Sequence, residues 1–110
     1  MSSAPQVRDY VHVSDLASAH LAVLEALAAM ERQANEVLIY NVGAGRGYSV
    51  KELASACQRA TGVRFPVQEH PRRQGDPPFV VGDARKIYAE LGWRGEHRCV
   101  PTRTSTLQAC

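Results

Sequence analysis

The sequence predicts an α/β fold, because stretches with strand character alternate with stretches of helical periodicity. Apolar residues recur at helical spacing through 16–33, a continuous β-branched and aromatic run follows at 37–42, and a second helical pattern begins near residue 49. The 110 residues are enough for one hydrophobic core, so we expect a single domain.

The composition places the chain among ordinary globular proteins, with 45% hydrophobic and 22% charged residues. No stretch approaches the roughly 20 apolar residues of a membrane span, so no membrane partner is expected. The N-terminus lacks a basic start followed by an apolar segment, which favours the cytoplasm. A formal net charge of +2 is too small to indicate nucleic-acid binding. The three cysteines form no C-x-x-C pair, so we expect neither a disulfide framework nor a metal site.

The first elements are predicted from short-range patterns. Residues 7–13, VRDYVHV, alternate apolar and polar residues as a short strand or an extended lead does. Ser14 and Asp15 then offer side-chain oxygens that could cap the helix over 16–33. The apolar run 37–42 is typical of a strand buried on both faces.

The second helix has a clear start and a clear end. Ser49 and Glu52 have the spacing of a capping box, so the helix should begin at about Ser49. Gly62 is a natural C-terminal stop, because glycine adopts the left-handed backbone at low cost.

The remaining elements are shorter. Residues 65–70 predict a short strand with a proline near its start, which suits a sheet edge, and 71–78 form an extended polar loop. A third helix is expected over 83–93, with Asp83 as its cap and Gly92 as its stop.

The glycine-rich stretch 41–50, NVGAGRGYSV, resembles a phosphate-binding loop at first sight. A dinucleotide fingerprint requires G-x-G-x-x-G, yet the third position is Tyr48 in one frame and Val50 in the other. Glu69 lies at about the distance of a ribose-binding acid, but this one agreement does not outweigh the missing glycine. We therefore interpret the glycines as a corner between strand and helix, and we assign no cofactor-binding residue.

Three ordered stretches carry a resemblance to a known family. They are RDYVHVSDLASAHLAVLEAL, YNVGAGRGYSVKELASACQRATG and PRRQGDPPFVVGDARKIYAELGW. Together they resemble the C-terminal part of the UDP-glucose 4-epimerase family, a branch of the extended short-chain dehydrogenases/reductases, over residues 7–93. The resemblance implies a small C-terminal substrate-binding domain with helices packed on short strands, while NAD in that family lies on an N-terminal Rossmann domain.

The resemblance implies a binding role for three residues. Arg8 and Arg73 would bind the diphosphate of a UDP-sugar, and Asp76 would bind a ribose hydroxyl. Forked guanidinium donors suit a diphosphate, and a carboxylate is a natural acceptor for a hydroxyl. From the residues alone, a local salt bridge between Arg8 and Asp9 and a solvated loop position for Arg73 remain open.

The chain also departs from the family pattern. No tyrosine is followed four residues later by a lysine, so the catalytic Y-x-x-x-K pair is absent and no catalytic residue is assigned. The tail, residues 94–110, shows no periodicity and is expected to be loosely ordered. We therefore expect a chain truncated at both ends, which binds a nucleotide sugar but is inactive alone.

Three hypotheses follow. The first is a substrate-binding fragment of an epimerase of this family, whose partners are a UDP-sugar and the missing Rossmann half. The second is a non-catalytic module that associates with itself or docks on another protein through apolar surface left uncovered. The third is a fragment of a nucleotide-sugar dehydratase or reductase.

Overall fold

The computed structural model describes residues 6–30 and 37–97, and the prediction of an α/β fold is confirmed there. Helices and short strands alternate along the chain. In chain order the elements are β1 (Val7–Asp9), α1 (Val13–Ala29), β2 (Gly47–Ser49), α2 (Val50–Thr61), β3 (Phe79–Val80) and α3 (Arg85–Leu91).

The three strands form one small sheet with β1 in the middle. The strand order is β2-β1-β3, with β1 antiparallel to β2 and parallel to β3. In this register Arg8 lies opposite Tyr48 on one side and opposite Val80 on the other. The predicted strand over 7–13 is therefore confirmed for its first residues, and Arg8 lies at the centre of the sheet.

Helix α1 begins earlier than predicted, and its cap is a different residue. His12 is the N-cap, and its Nδ1 accepts a hydrogen bond from the backbone N–H of Ser14 at 3.1 Å. The prediction that Ser14 or Asp15 caps the helix was wrong, because the imidazole already satisfies that first free N–H. The Asp15 carboxylate is buried and bonds instead to His97.

The core lies between α1 and α3. Ala19, Ile87 and Trp93 form one buried cluster, and the Trp93 indole donates to the hydroxyl of Ser18 at 2.8 Å. Partly buried residues surround this cluster: Ala22, Val23, Tyr40, Val42, Ala84 and Leu91. The buried core is therefore small, and α1 contributes a single small side chain, Ala19, to its buried centre.

Helix α2 confirms the local predictions. The Ser49 hydroxyl accepts from the Glu52 N–H at 3.1 Å, and the Glu52 carboxylate accepts from the Ser49 N–H at 2.7 Å. Gly62 ends the helix with a left-handed φ of 67°. Residues 47–49, which we expected only to lead into this helix, form β2 because they pair with β1.

The predicted strand over 37–42 is absent. Val37 and Ile39 are 79% and 69% exposed, whereas Tyr40 and Val42 pack against the core. The described residues place no strand beside this segment, so its backbone has no ladder to join. The apolar run is therefore half-buried and irregular rather than a strand buried on both faces.

The predicted edge strand over 65–70 is also absent. Every residue of this segment is exposed, and the Phe65 carbonyl accepts a bond from the Gln58 side chain at 3.0 Å instead of joining the sheet. Pro66 lacks a backbone donor, which weakens any ladder at this position. The predicted polar loop over 71–78 lies between this segment and β3.

Helix α3 is shorter than the predicted range of 83–93. The prediction that Asp83 is its cap was wrong, because the N-cap is Ala84 and makes no side-chain cap bond. Asp83 lies one residue earlier, where one carboxylate oxygen accepts from the Arg85 N–H at 3.1 Å. Gly92 ends the helix with a left-handed φ of 70°, as predicted. The chain then turns Trp93 into the core.

The predicted tail is described only in part. His97 bonds to Asp15 through its backbone N–H and its ring, so this first part of the tail contacts α1. Residues 98–110 lie outside the described residues, so their loose order stays a prediction.

Candidate functional site

The candidate site is centred on the carboxylate of Asp76. One oxygen accepts from Arg8 at 2.7 Å, and the other accepts from the Gln6 amide at 2.7 Å and lies 3.7 Å from a guanidinium nitrogen of Arg73. Arg8 and Asp76 are 68 positions apart in the chain. The structure therefore brings together all three residues that the sequence singled out.

Two elements hold these residues in place. Arg8 is carried by the central strand, whereas Arg73 and Asp76 flank a turn in which Gly75 has a left-handed φ of 79°. The parallel pairing of β1 with β3 and a bond from the Val7 N–H to the Pro78 carbonyl, 2.8 Å long, draw this turn towards Arg8.

The alternative of a local Arg8–Asp9 salt bridge does not describe the structure. Arg8 uses one terminal nitrogen for Asp76 and the other for the Val7 carbonyl, at 2.7 and 2.8 Å. Its side chain is 27% exposed, and that of Asp76 is 15% exposed. Arg73 is 89% exposed, so its predicted position on a solvated loop is accurate even though it approaches Asp76.

Arg8 and Asp76 can each form further hydrogen bonds beyond those they make in the structure. An arginine has five N–H donors and a carboxylate oxygen accepts up to two bonds, so neither Arg8 nor Asp76 is saturated by its present partners. Arg73 reaches Asp76 only at 3.7 Å, beyond a good hydrogen bond, and its guanidinium faces solvent. An anion could thus be met by two forked donors and a hydroxyl by one carboxylate.

Asp9 is a structural residue that the sequence reading missed. Its carboxylate accepts three backbone N–H bonds, from Ala44 at 2.9 Å and from Gly45 and Gly82 at 3.1 Å each. A side chain at Gly43 would overlap this carboxylate. The glycine stretch therefore makes a close approach to Asp9, a role for which the only sequence signal was the density of glycines.

An open groove borders the glycine stretch. Its volume is about 920 Å³, and its lining includes Tyr10, Arg46, Tyr48 and Tyr88. The guanidinium of Arg46 lies over the ring of Tyr48, with 5.1 Å from its carbon to the ring centroid. Arg85 also lines the groove but is held by Asp83, and this pairing lowers the pKa of Asp83 to about 2.

A second polar cluster lies at the start of α1. Asp15 is only 4% exposed and accepts from the backbone N–H of His97 at 3.0 Å, while its other oxygen lies 2.6 Å from the His97 ring nitrogen. The ring of His12 stacks on that of His97 at 4.6 Å. Burial raises the pKa of Asp15, but the bonds from His97 outweigh it and leave that pKa below its usual value.

Within residues 6–30 and 37–97, no three His, Cys, Asp or Glu side chains form a group that could hold a metal ion. No helix in this part of the chain is long and apolar enough to cross a membrane.

Comparisons with known proteins agree with the motifs. The model of the NAD dependent epimerase/dehydratase family matches residues 1–43. The UDP-glucose 4-epimerase of Corynebacterium glutamicum is 43% identical over 91 residues, which are 83% of this chain and 26% of that protein. A probable UDP-arabinose 4-epimerase of Oryza sativa subsp. japonica is 50% identical over 91 residues, 83% of this chain and 20% of its own length.

Solved structures show the same relationship. The crystal structure of a UDP-glucose-4-epimerase from Stenotrophomonas maltophila, with bound NAD and formylated UDP-arabinopyranose, matches with a TM-score of 0.78 and 41% identity. The match covers 89% of this chain and 28% of the chain in that crystal structure. The Bifidobacterium longum enzyme in complex with NAD⁺ and UDP matches with a TM-score of 0.75 and 40% identity, covering 89% and 28% of the two chains.

The chain thus spans about a quarter of the length of these relatives. The structural similarity covers most of the described residues. We conclude that the chain is related to the UDP-glucose and UDP-arabinose 4-epimerases, and that its first 43 residues match the epimerase family.

Proposed function

We propose that residues 7–93 form the nucleotide-sugar-binding, C-terminal part of a UDP-sugar 4-epimerase. Arg8 and Arg73 bind the diphosphate and Asp76 binds a ribose hydroxyl. The observation that carries this proposal is that two arginines lie beside the carboxylate of Asp76. Arg8 comes from 68 positions earlier in the chain, and Arg73 from three positions earlier. A surface ion pair needs only two partners, whereas a diphosphate site needs two cations around one place.

The relatives support the same assignment. Solved structures at 40% and 41% identity contain UDP or a UDP-sugar derivative. Asp76 has a second task in this proposal, because it orients Arg8 before the ligand arrives and so reduces the entropy lost on binding. NAD, which those same structures contain, has no fingerprint in the glycine stretch of this chain and is not assigned a site here.

The expected affinity is low. A charge-assisted hydrogen bond contributes about 1.5 to 3 kcal/mol, and the 89% exposure of Arg73 reduces its share through solvent screening. We expect a Kd on the order of 1 mM for UDP-glucose, which corresponds to about 4 kcal/mol.

NMR titration with UDP-glucose tests the site. Amide shifts should centre on residues 6–8 and 73–76, and Arg73→Ala should weaken binding while leaving the spectrum of the core unchanged. Arg59→Ala is the matched control, because it removes the same charge from an exposed position on α2. If UDP-glucose shifts nothing at several millimolar, or if both variants weaken it equally, the assignment is wrong.

A second candidate function is self-association. The face of α1 turned away from the core carries Val13, Leu21 and Leu24, which are 60%, 57% and 63% exposed. A helix that is apolar on both faces is normally covered on both faces. A second copy would cover the outer face of α1, and the chain would then act as a non-catalytic dimerisation module.

Sedimentation velocity distinguishes this candidate. A concentration-dependent dimer that Leu24→Glu abolishes would support it, and a monomer at every concentration would exclude it. The assignment to a dehydratase or reductase instead of a 4-epimerase would be favoured only if a sugar nucleotide of that reaction class bound better than UDP-glucose.

A further inference from the structure

Arg46 directly precedes β2, the strand that pairs with the Arg8 strand, and no role has been assigned to it so far. The antiparallel register places Tyr48 directly opposite Arg8. Opposed residues of an antiparallel pair project from the same face, with Cβ atoms about 5 Å apart. Because the Arg46 guanidinium lies over the Tyr48 ring at 5.1 Å, it is brought to the face of the sheet from which Arg8 projects.

Arg85, which also lines the groove, is already paired with Asp83. Arg85 makes three side-chain bonds to Asp83, at 2.6, 2.9 and 3.0 Å. Arg46 is exposed, and among the residues that the structure describes it forms no ion pair. Its contact with the Tyr48 ring leaves the N–H donors at the guanidinium edge available, since a stacked cation uses its face.

The charge of the site indicates what Arg46 adds. Arg8 and Arg73 carry two positive charges, and Asp76 cancels one of them. The diphosphate of a nucleotide sugar carries two negative charges, so the site as assigned lacks one cation. With Arg46 the net charge of the site becomes +2, which balances the two negative charges of the diphosphate.

We propose that Arg46, held over Tyr48, is a third cation that binds the diphosphate of the nucleotide sugar. This inference rests on the proposed function. Tyr48 is then a positioning residue, because its ring fixes where the guanidinium lies and makes no bond to the ligand itself.

Titrations with UDP-glucose and with uridine, followed by NMR, test the proposal. Arg46→Gln should raise the Kd for UDP-glucose about fivefold, since one exposed charge-assisted contact is lost. It should leave the weaker uridine shifts unchanged, because uridine has no phosphate. Arg46→Lys should restore part of the affinity, and the salt dependence of UDP-glucose binding should become shallower in Arg46→Gln.

Variants of Tyr48 separate positioning from folding. Tyr48→Phe keeps a ring under the guanidinium and should bind as the parent does, whereas Tyr48→Leu should resemble Arg46→Gln. Arg59→Gln removes a distant charge and controls for the general field of the protein.

The outcomes are distinguishable from those of the proposed function. If Arg73→Ala weakens UDP-glucose binding and Arg46→Gln does not, the role of Arg46 is wrong and the UDP-sugar site stands. If Arg46→Gln weakens uridine as much as UDP-glucose, Arg46 does not act on phosphate. If the parent chain binds no UDP-glucose, the proposed function and this inference both fail.

Discussion

Removing the Asp9 carboxylate should destabilise the fold by an amount that its contacts define. Asp9 accepts backbone bonds from Ala44, Gly45 and Gly82, at 2.9, 3.1 and 3.1 Å. These bonds fasten the glycine stretch and the segment after β3 to the central strand. Asp9→Ala leaves all three donors without this acceptor.

The magnitude follows from the number of bonds and their exposure. A hydrogen bond to a charged group contributes about 1.5 to 3 kcal/mol, and water can replace part of it where the donor is exposed. The bond from Gly82 is partly buried, whereas those from Ala44 and Gly45 are exposed. We therefore expect Asp9→Ala to lower the free energy of unfolding by about 3 kcal/mol.

Asp9→Asn should have an intermediate effect. The amide oxygen replaces one carboxylate oxygen and keeps the Gly45 and Gly82 bonds, while the amide NH₂ faces the Ala44 N–H and repels it. We expect a loss of about 1.5 kcal/mol, because one bond is removed and two lose their charge.

Urea unfolding followed by circular dichroism measures both losses. Glu25→Gln serves as the control, because it removes one charge from an exposed position on α1 and should leave the midpoint unchanged. Amide exchange at residues 44, 45 and 82 should accelerate in Asp9→Ala before exchange in α2 does. If Asp9→Ala stays within about 0.5 kcal/mol of the parent, the reasoning from these contacts is wrong.

Three other predictions concern catalysis, acid stability and capping. The chain with UDP-galactose and NAD should show no epimerisation above a no-protein control in a coupled assay, because it has no Y-x-x-x-K pair; measurable turnover would refute this. The pKa of Asp15 lies below its usual value of 3.8, so its stabilising contribution is complete above that pH and is lost as the pH falls through the lower folded value. Asp15→Asn should accordingly be less stable at pH 7 and show a flatter loss of stability between pH 4 and pH 2 in acid titrations by circular dichroism; an unchanged acid profile would contradict the role of His97. Ser49→Ala should cost about 1 kcal/mol in urea unfolding, whereas Ser55→Ala on the exposed side of α2 should cost nothing measurable; equal effects would mean that the capping box contributes nothing.

The sequence by itself determined the elements whose boundaries depend on near neighbours. The capping box at Ser49 joins groups three residues apart, and Gly62 and Gly92 end helices through their own backbone conformation. Such interactions are local and need no knowledge of the rest of the fold, so they could be predicted correctly. The family resemblance was also determined at this level, because it depends on ordered motifs.

Only the tertiary structure decided which apolar runs become strands. Residues 37–42 and 65–70 have strand-like composition but find no neighbour among the described residues, whereas 47–49 pair with β1. A strand is stabilised by the hydrogen bonds of its partner, and a partner distant in the chain is invisible in a local pattern.

The candidate site shows the same division. Residue types and the family resemblance were enough to select Arg8, Arg73 and Asp76, yet their meeting depends on contacts that span 68 positions. The three bonds to Asp9 and the stacking of Arg46 on Tyr48 had no signal of their own in the sequence. These arrangements exist because the sheet register brings distant segments within hydrogen-bonding distance, and that register is a property of the folded chain alone.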